Sequence, residues 1–161
     1  MGKNGQGKTS ILEALYFSIT GKSFRTKHIK ELIKYEFFDS GSMVNYEDRL
    51  GKKAIGIKFN GKTREYIYNK NKVKFDEFIG RVNVISFIPD DIYLILGNPS
   101  IRRSFFDYEI SQGNEMYYKL LKDFNKILKI RNKFLKEKKT SDELFEVYNE
   151  KFIELSVKII M

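Results

Sequence analysis

A chain of 161 residues, 42% hydrophobic and 15% aromatic, can bury the core of one ordinary domain or of part of a larger one. The absence of cysteine and the single histidine, His28, exclude disulfides, thiolate metal sites and any His-based triad or metal centre built within the chain. Thirty Lys and Arg against 21 Asp and Glu leave a formal charge of +9, which favours a polyanionic partner such as DNA or RNA but also fits a merely lysine-rich composition. No stretch is long and apolar enough for a transmembrane helix and no signal-peptide pattern opens the chain, so the expectation is a soluble cytoplasmic protein with no membrane partner.

The first element is a phosphate-binding loop. Gly2-Lys3-Asn4-Gly5-Gln6-Gly7-Lys8-Thr9 fits G-x-x-x-x-G-K-[ST] in full. Its glycines let the backbone approach a polyphosphate closely, Lys8 suits the β- and γ-phosphate oxygens, and the Thr9 hydroxyl suits Mg2+. Ser10 adds a hydroxyl near the α-phosphate. Ile11, Leu12, Leu15, Tyr16 and Ile19 follow at helical spacing and Gly21 ends the run, so a helix leaves the loop and its N-terminus faces the anion. A buried strand usually feeds such a loop. Here the loop opens the chain with no strand ahead of it, and the expectation is the inside of a nucleotide-binding domain whose first strand lies outside this chain, leaving a sheet edge and apolar surface uncovered.

Gly21 to Thr26 reads as a polar loop and His28 to Tyr35 as a short helical stretch. From Ser42 the period becomes two. Ile55, Ile57 and Phe59 alternate, Asn60-Gly61 supplies the residues of a type I′ turn, and Tyr66 and Tyr68 alternate on the return. The apolar run Val82 to Ile88, stopped by Pro89, reads as a buried strand.

Beyond it the chain is predicted helical to its end. Tyr117, Leu120, Leu121, Phe124, Ile127, Leu128, Phe134 and Leu135 form one apolar stripe, with Lys119, Lys122, Lys126, Lys129 and Lys133 on other faces. Thr140 and Glu143 suit a capping box. Leu144, Phe145, Tyr148, Phe152, Leu155 and Ile159 form a matching stripe that ends near Met161, so the two helices are expected to pack as an antiparallel hairpin. The lysines are either a DNA-facing surface or a solvated helix face.

Three blocks of the chain stand out together. The first is Gly2 to Tyr16 with Thr20-Gly21-Lys22-Ser23-Phe24-Arg25-Thr26. The second is Phe87 to Ile92 with Gly97-Asn98-Pro99-Ser100-Ile101-Arg102-Arg103-Ser104-Phe105-Phe106-Asp107, and the third is Leu128 to Lys136. Together they resemble the RecF family of DNA replication and repair proteins, lie in that family's order and span most of the chain.

The resemblance implies an α/β (α+β) part of an ABC-type P-loop ATPase head related to the structural-maintenance and Rad50 proteins. A partial ATPase lobe with antiparallel strands would span residues 1–98 and a helical lobe residues 99–161. It implies ATP and Mg2+ as cofactors, single-stranded or gapped DNA as partner, an ATP-dependent homodimer of the full-length protein, and action with RecO and RecR to place RecA on DNA. ATP-binding residues would be Gly2, Lys3, Asn4, Gly5, Gln6, Gly7, Lys8, Thr9 and Ser10. Arg25 falls where related ATPases carry an arginine near the nucleotide. It is either a phosphate sensor or a loop arginine paired with a carboxylate or with DNA phosphate. Arg102 and Arg103 either contact DNA or lock the two lobes.

The family also carries a signature motif and an acidic Walker B strand far downstream. Val82 to Asp91 and Ile110-Ser111-Gln112-Gly113 only imitate these. Without a Walker B carboxylate to anchor Mg2+ and position water, the chain alone is expected not to hydrolyse ATP, although its full-length parent should. The alternative is a non-enzymatic module that binds DNA or a partner and keeps a vestigial loop.

Overall fold

Two units make up the chain, Met1–Gly97 and Asn98–Met161. The computed structural model describes residues 5–139, 141 and 143–160. Gly2, Lys3 and Asn4 of the glycine-rich loop, Thr140 of the expected capping box and Met161 lie outside the described residues.

In the first unit, α1 (Lys8–Thr20) starts behind Gly7 and ends at Gly21, which takes a φ of 70° and donates its N–H to the Phe17 carbonyl. The helix is where the spacing predicts it, but of its regularly spaced apolar residues only Ile19 is fully buried. Glu13, Phe17, Ser18, Ile19 and Thr20 are buried, whereas Ile11 is 70% exposed and Leu12 and Leu15 are also exposed. Packing against β1 (Ser40–Asp48) and β2 (Gly51–Phe59) decides this. Small polar groups let the helix sit close to the sheet. Ser18 Oγ lies 2.6 Å from Ser42 Oγ and 2.7 Å from the Ala14 carbonyl, which is itself 3.0 Å from Ser42 Oγ. The stretch His28 to Tyr35 is less helical than expected, with one 3-10 turn at Ile29–Leu32.

The strands form an antiparallel meander in the order β1-β2-β3-β4, completed by β3 (Arg64–Tyr68) and β4 (Asn71–Val73). Ile55 faces Tyr68 and Ile57 faces Tyr66, the register that the alternation predicts. Ile55, Ile57 and Phe59 form the core with Phe17, Ile19 and Phe78, the last carried in by the short helix α2 (Phe75–Phe78). The Phe17 and Phe59 rings meet edge-on at 5.0 Å.

The turns depart from expectation. The β2–β3 hairpin exists, but Gly61 alone is left-handed (φ 77°) while Asn60 is not, so no type I′ turn forms there. The Asn60 side chain instead accepts the N–H groups of Lys62 and Thr63 and closes a four-residue loop. Both central residues have positive φ in the next hairpin, where Asn69 (47°) and Lys70 (69°) join β3 to β4.

The run Val82 to Ile88 is not a strand. Val82, Val84, Ser86 and Ile88 are half-buried and the residues between them exposed, Phe87 to 93%. It thus keeps an extended, period-two course without a hydrogen-bonded neighbour strand among the described residues. A 3-10 turn (Pro89–Ile92) and α3 (Tyr93–Leu96) close the unit.

The second unit is three helices, α4 (Pro99–Gly113), α5 (Glu115–Lys136) and α6 (Glu143–Ile160). Pro99 opens α4, and Asn114 caps α5 by accepting the Tyr117 N–H at 3.0 Å. Tyr117 donates its hydroxyl to Asp107 at 2.7 Å and ties α5 to α4. Phe124 stacks on Phe152 while Phe134 meets Phe145 and Tyr148, so α5 and α6 run antiparallel. Leu135 and Leu144 are the exceptions to the predicted stripes. Both are exposed, near the ends where the helices enter their connecting loop.

Candidate nucleotide-binding site

Within the described part of the glycine-rich loop, Gly5 (φ 80°) and Gly7 (φ 75°) are both left-handed. A Cβ at either would meet no atom within 4 Å, so the glycines serve the turn itself and the approach of something from outside the chain. Gly7 leads directly into α1, with Lys8, Thr9 and Ser10 in its first turn and all three exposed. The Gly7 carbonyl is taken by the Ile11 N–H, so the turn is locked to the helix. The first amides of the helix therefore point at the mouth of the loop, where an anion is favoured.

A second segment completes the site. Residues Gly5 to Ser10 and Arg25 line an open cleft of about 380 Å³. Arg25 comes from the loop after α1, and its Nη1 lies 3.2 Å from Ser10 Oγ and 3.2 Å from Glu13 Oε2. Glu13 is 8% exposed, and its other oxygen accepts the Ser23 hydroxyl at 2.5 Å. Ser23 Oγ in turn accepts the N–H groups of Arg25 and Thr26, each at 3.0 Å. Arg25 is thus paired with a carboxylate and also stands beside the loop. Lys8, Arg25 and the helix N-terminus make the cleft electropositive.

Glu13 and Ser23 belong to this cluster although neither was among the residues expected to line the site. A signal was present, since Glu13 lies four residues before Phe17, on the face of α1 that becomes buried, and a buried carboxylate demands a basic partner.

Arg102 and Arg103 belong to the other unit. They sit in the first turns of α4, Arg102 half-buried and Arg103 exposed. The two imitations of downstream motifs also have ordinary structural roles. Asp91 accepts the Ile88 N–H at 2.8 Å and caps the 3-10 turn, while Ser111 and Gln112 are buried near the end of α4, with Ser111 Oγ 2.5 Å from the Asp107 carbonyl. Among the described residues, no group of three or more His, Cys, Asp or Glu side chains is placed to hold a metal ion. No described helix is long and apolar enough to cross a membrane.

Beside the cleft runs an apolar groove of about 650 Å³, lined by Leu12, Leu15, Tyr16 and Phe24 on one side and Val84 to Ile88 on the other. The exposed face of α1 forms one of its walls.

Known proteins supply a context for this geometry. The AAA domain family matches residues 1–159. The DNA replication and repair protein RecF of Macrococcus caseolyticus is 37% identical over 167 residues, covering 100% of this chain and 45% of that protein. RecF of Streptococcus gordonii is 36% identical, covering 99% of this chain and 45% of its own length. The chain therefore spans less than half the length of these relatives. A solved structure described as the recombination mediator protein RecF-ATP in the RecFOR pathway superposes with a TM-score of 0.88 at 31% identity, covering 98% of this chain and 44% of that one. With its glycine-rich loop, helix, four-stranded antiparallel sheet and helical unit, the chain belongs to the AAA domain family and to the RecF family, as part of an ABC-type ATPase head.

Proposed function

We propose that this chain supplies the phosphate-binding portion of a RecF-type protein that binds ATP and single-stranded or gapped DNA and supports RecA loading in recombinational repair. The observation that carries the reading is the cleft of Gly5 to Ser10 and Arg25, two left-handed glycines running into a helix N-terminus. Lys8 would neutralise the β- and γ-phosphates and Ser10 would meet the α-phosphate. The Thr9 hydroxyl would ligate Mg2+ together with phosphate oxygens, an oxygen donor suited to that ion. Gly2, Lys3 and Asn4 complete the loop in sequence.

The basic residues of α5 support the DNA half of the reading. Lys119, Lys122, Lys126, Lys129 and Lys133 recur at alternating spacings of three and four and are all exposed, so they lie along one helix face. Such a row matches a nucleic-acid backbone. The Glu115 and Glu137 carboxylates pair with Lys119 and Lys133 at its two ends. Arg102 and Arg103 are further candidates for DNA contact or for joining the lobes.

RecO, RecR, an ATP-dependent homodimer and a cytoplasmic setting follow from the family and belong to the whole protein. On this reading the chain alone binds ATP without turning it over, because Asp91 is committed to capping a turn. Titration of a fluorescent ATP analogue tests the proposal. Wild type should bind saturably and Lys8→Ala should lose about a hundredfold in affinity, the worth of a charged hydrogen-bonding partner. Equal binding by the two, or none by wild type, would refute it and leave a module with a vestigial loop.

A further inference from the structure

We propose that Glu13 is a positioning residue of the phosphate cleft, acting on the bound anion through Arg25. The inference rests on the ATP-binding reading and adds to it a residue that touches no ligand.

A carboxylate buried in the middle of α1 is costly unless it is paired. Each oxygen of Glu13 has its own partner, Ser23 Oγ at 2.5 Å on one and Arg25 Nη1 at 3.2 Å on the other. Ser23 passes the constraint to the backbone by accepting the Arg25 and Thr26 N–H groups. One side chain on the helix therefore fixes Arg25 twice, at its main chain through Ser23 and at its guanidinium directly. The third contact, Nη1 to Ser10 Oγ, sets the guanidinium against the first turn of α1. Among the described residues these side-chain contacts all run through Nη1, leaving the Nε and Nη2 donors for an anion in the cleft. Because α1 also carries Lys8 and Thr9, Glu13 keeps the two sides of the cleft in register, one coming from the helix and the other from the loop behind it.

A purely stabilising carboxylate would affect melting and leave nucleotide affinity alone. A carboxylate that only competed with phosphate for Arg25 would make removal tighten binding. The positioning role predicts the opposite sign and a specific dependence on Arg25.

The test is titration of a fluorescent ATP analogue into the full chain as wild type, Lys8→Ala, Glu13→Gln, Arg25→Ala and the Glu13→Gln/Arg25→Ala pair. The Arg25 Nε–H resonance is followed by NMR in the first and third. Glu13→Gln and Arg25→Ala should each weaken binding about tenfold. The double variant should bind no worse than Arg25→Ala alone, because the two residues act as a unit. The Arg25 Nε–H resonance should move in Glu13→Gln. Ser23→Ala, which keeps the Glu13 charge, should lose affinity in the same direction and carries the test if Glu13→Gln fails to fold. Wild-type affinity or tighter in Glu13→Gln, or losses that add in the double variant, would overturn the inference while the ATP-binding reading stood. If wild type bound no better than Lys8→Ala, both would fall.

Discussion

Replacing Gly56 with alanine tests how closely β1 approaches β2. Gly56 pairs with Met43 on one side and Ile67 on the other, in the middle of the sheet. A Cβ there would stand 2.5 Å from the Ser42 carbonyl oxygen and 2.8 Å from Met43 Cα. Unstrained contacts between such atoms settle near roughly 3.5 Å, so β1 would have to retreat by about 1 Å. Both clashing atoms are backbone, and no rotamer change relieves them. The displaced residue is also Ser42, whose hydroxyl seats α1 through Ser18 and Ala14. Overpacking of this kind costs about 1–3 kcal/mol, and rigid neighbours favour the upper end. Against it stands a gain of about 0.4–1 kcal/mol, because alanine restricts the unfolded chain and Gly56 does not need positive φ. The clash wins, and the net loss should be about 1–2 kcal/mol. Urea unfolding followed by far-ultraviolet circular dichroism reads it as a midpoint lowered by about 0.5–1 M. Gly113→Ala is the control, since its Cβ would meet nothing within 4 Å and its φ is also not positive. It should be neutral or slightly stabilising. A Gly56→Ala midpoint at or above wild type would refute the strand geometry.

Three further outcomes follow from contacts in the helical unit. Hydrogen bonds from Lys151 and Lys158 hold the Glu154 carboxyl down at about 2, from an ordinary 4.5. A depressed folded value means that the stabilisation is complete above 4.5 and disappears as pH falls toward about 2, which carboxyl NMR titration should show and Glu154→Gln should abolish. Burial and the hydrogen bond to Asp107 push the Tyr117 phenol up to about 12 from 10. The raised value places its contribution below pH 10, to be lost as pH climbs through about 12. Phenolate absorbance should therefore show Tyr117 ionising late, together with Tyr46, and Tyr117→Phe should remove one late phenol at a cost of about 1 kcal/mol. If the α5 row meets DNA, Lys122→Ala, Lys126→Ala and Lys129→Ala should each reduce the slope of log affinity against log salt by about 1. Unchanged slopes would assign those lysines to a solvated face.

The tight turn of Gly5 and Gly7 into α1 was legible because glycine is the residue that takes positive φ without strain and a helical apolar spacing follows directly. The β2–β3 register was legible for a similar reason, since Ile55, Ile57, Tyr66 and Tyr68 must face one side of the sheet. The turn that takes type I′ geometry was not. Lys70 adopts φ 69° without being a glycine, held by pairing on both sides, and nothing local announces that. The run Val82 to Ile88 has the composition of a buried strand, but a strand needs a neighbour to bond, which composition cannot reveal. Which face of α1 is buried was not legible, because apolar residues recur on more of the helix than the sheet covers. Ser18, with no apolar surface to offer, is fully buried because it fits beneath Ser42. The Glu13–Ser23–Arg25 link joins residues up to twelve apart through a loop whose course sequence periodicity does not describe.

On the proposed reading, phosphate meets the chain at the start of α1 with Arg25 alongside. An NMR titration of the isotopically labelled chain with ATP and Mg2+ tests it most directly. The prediction is saturable movement of the Gly5, Gln6, Gly7, Lys8, Thr9 and Ser10 amides and of the Arg25 side-chain signal, absent in Lys8→Ala. Saturable shifts confined to the lysine row of α5 or to the apolar groove, with the loop amides still, would contradict it.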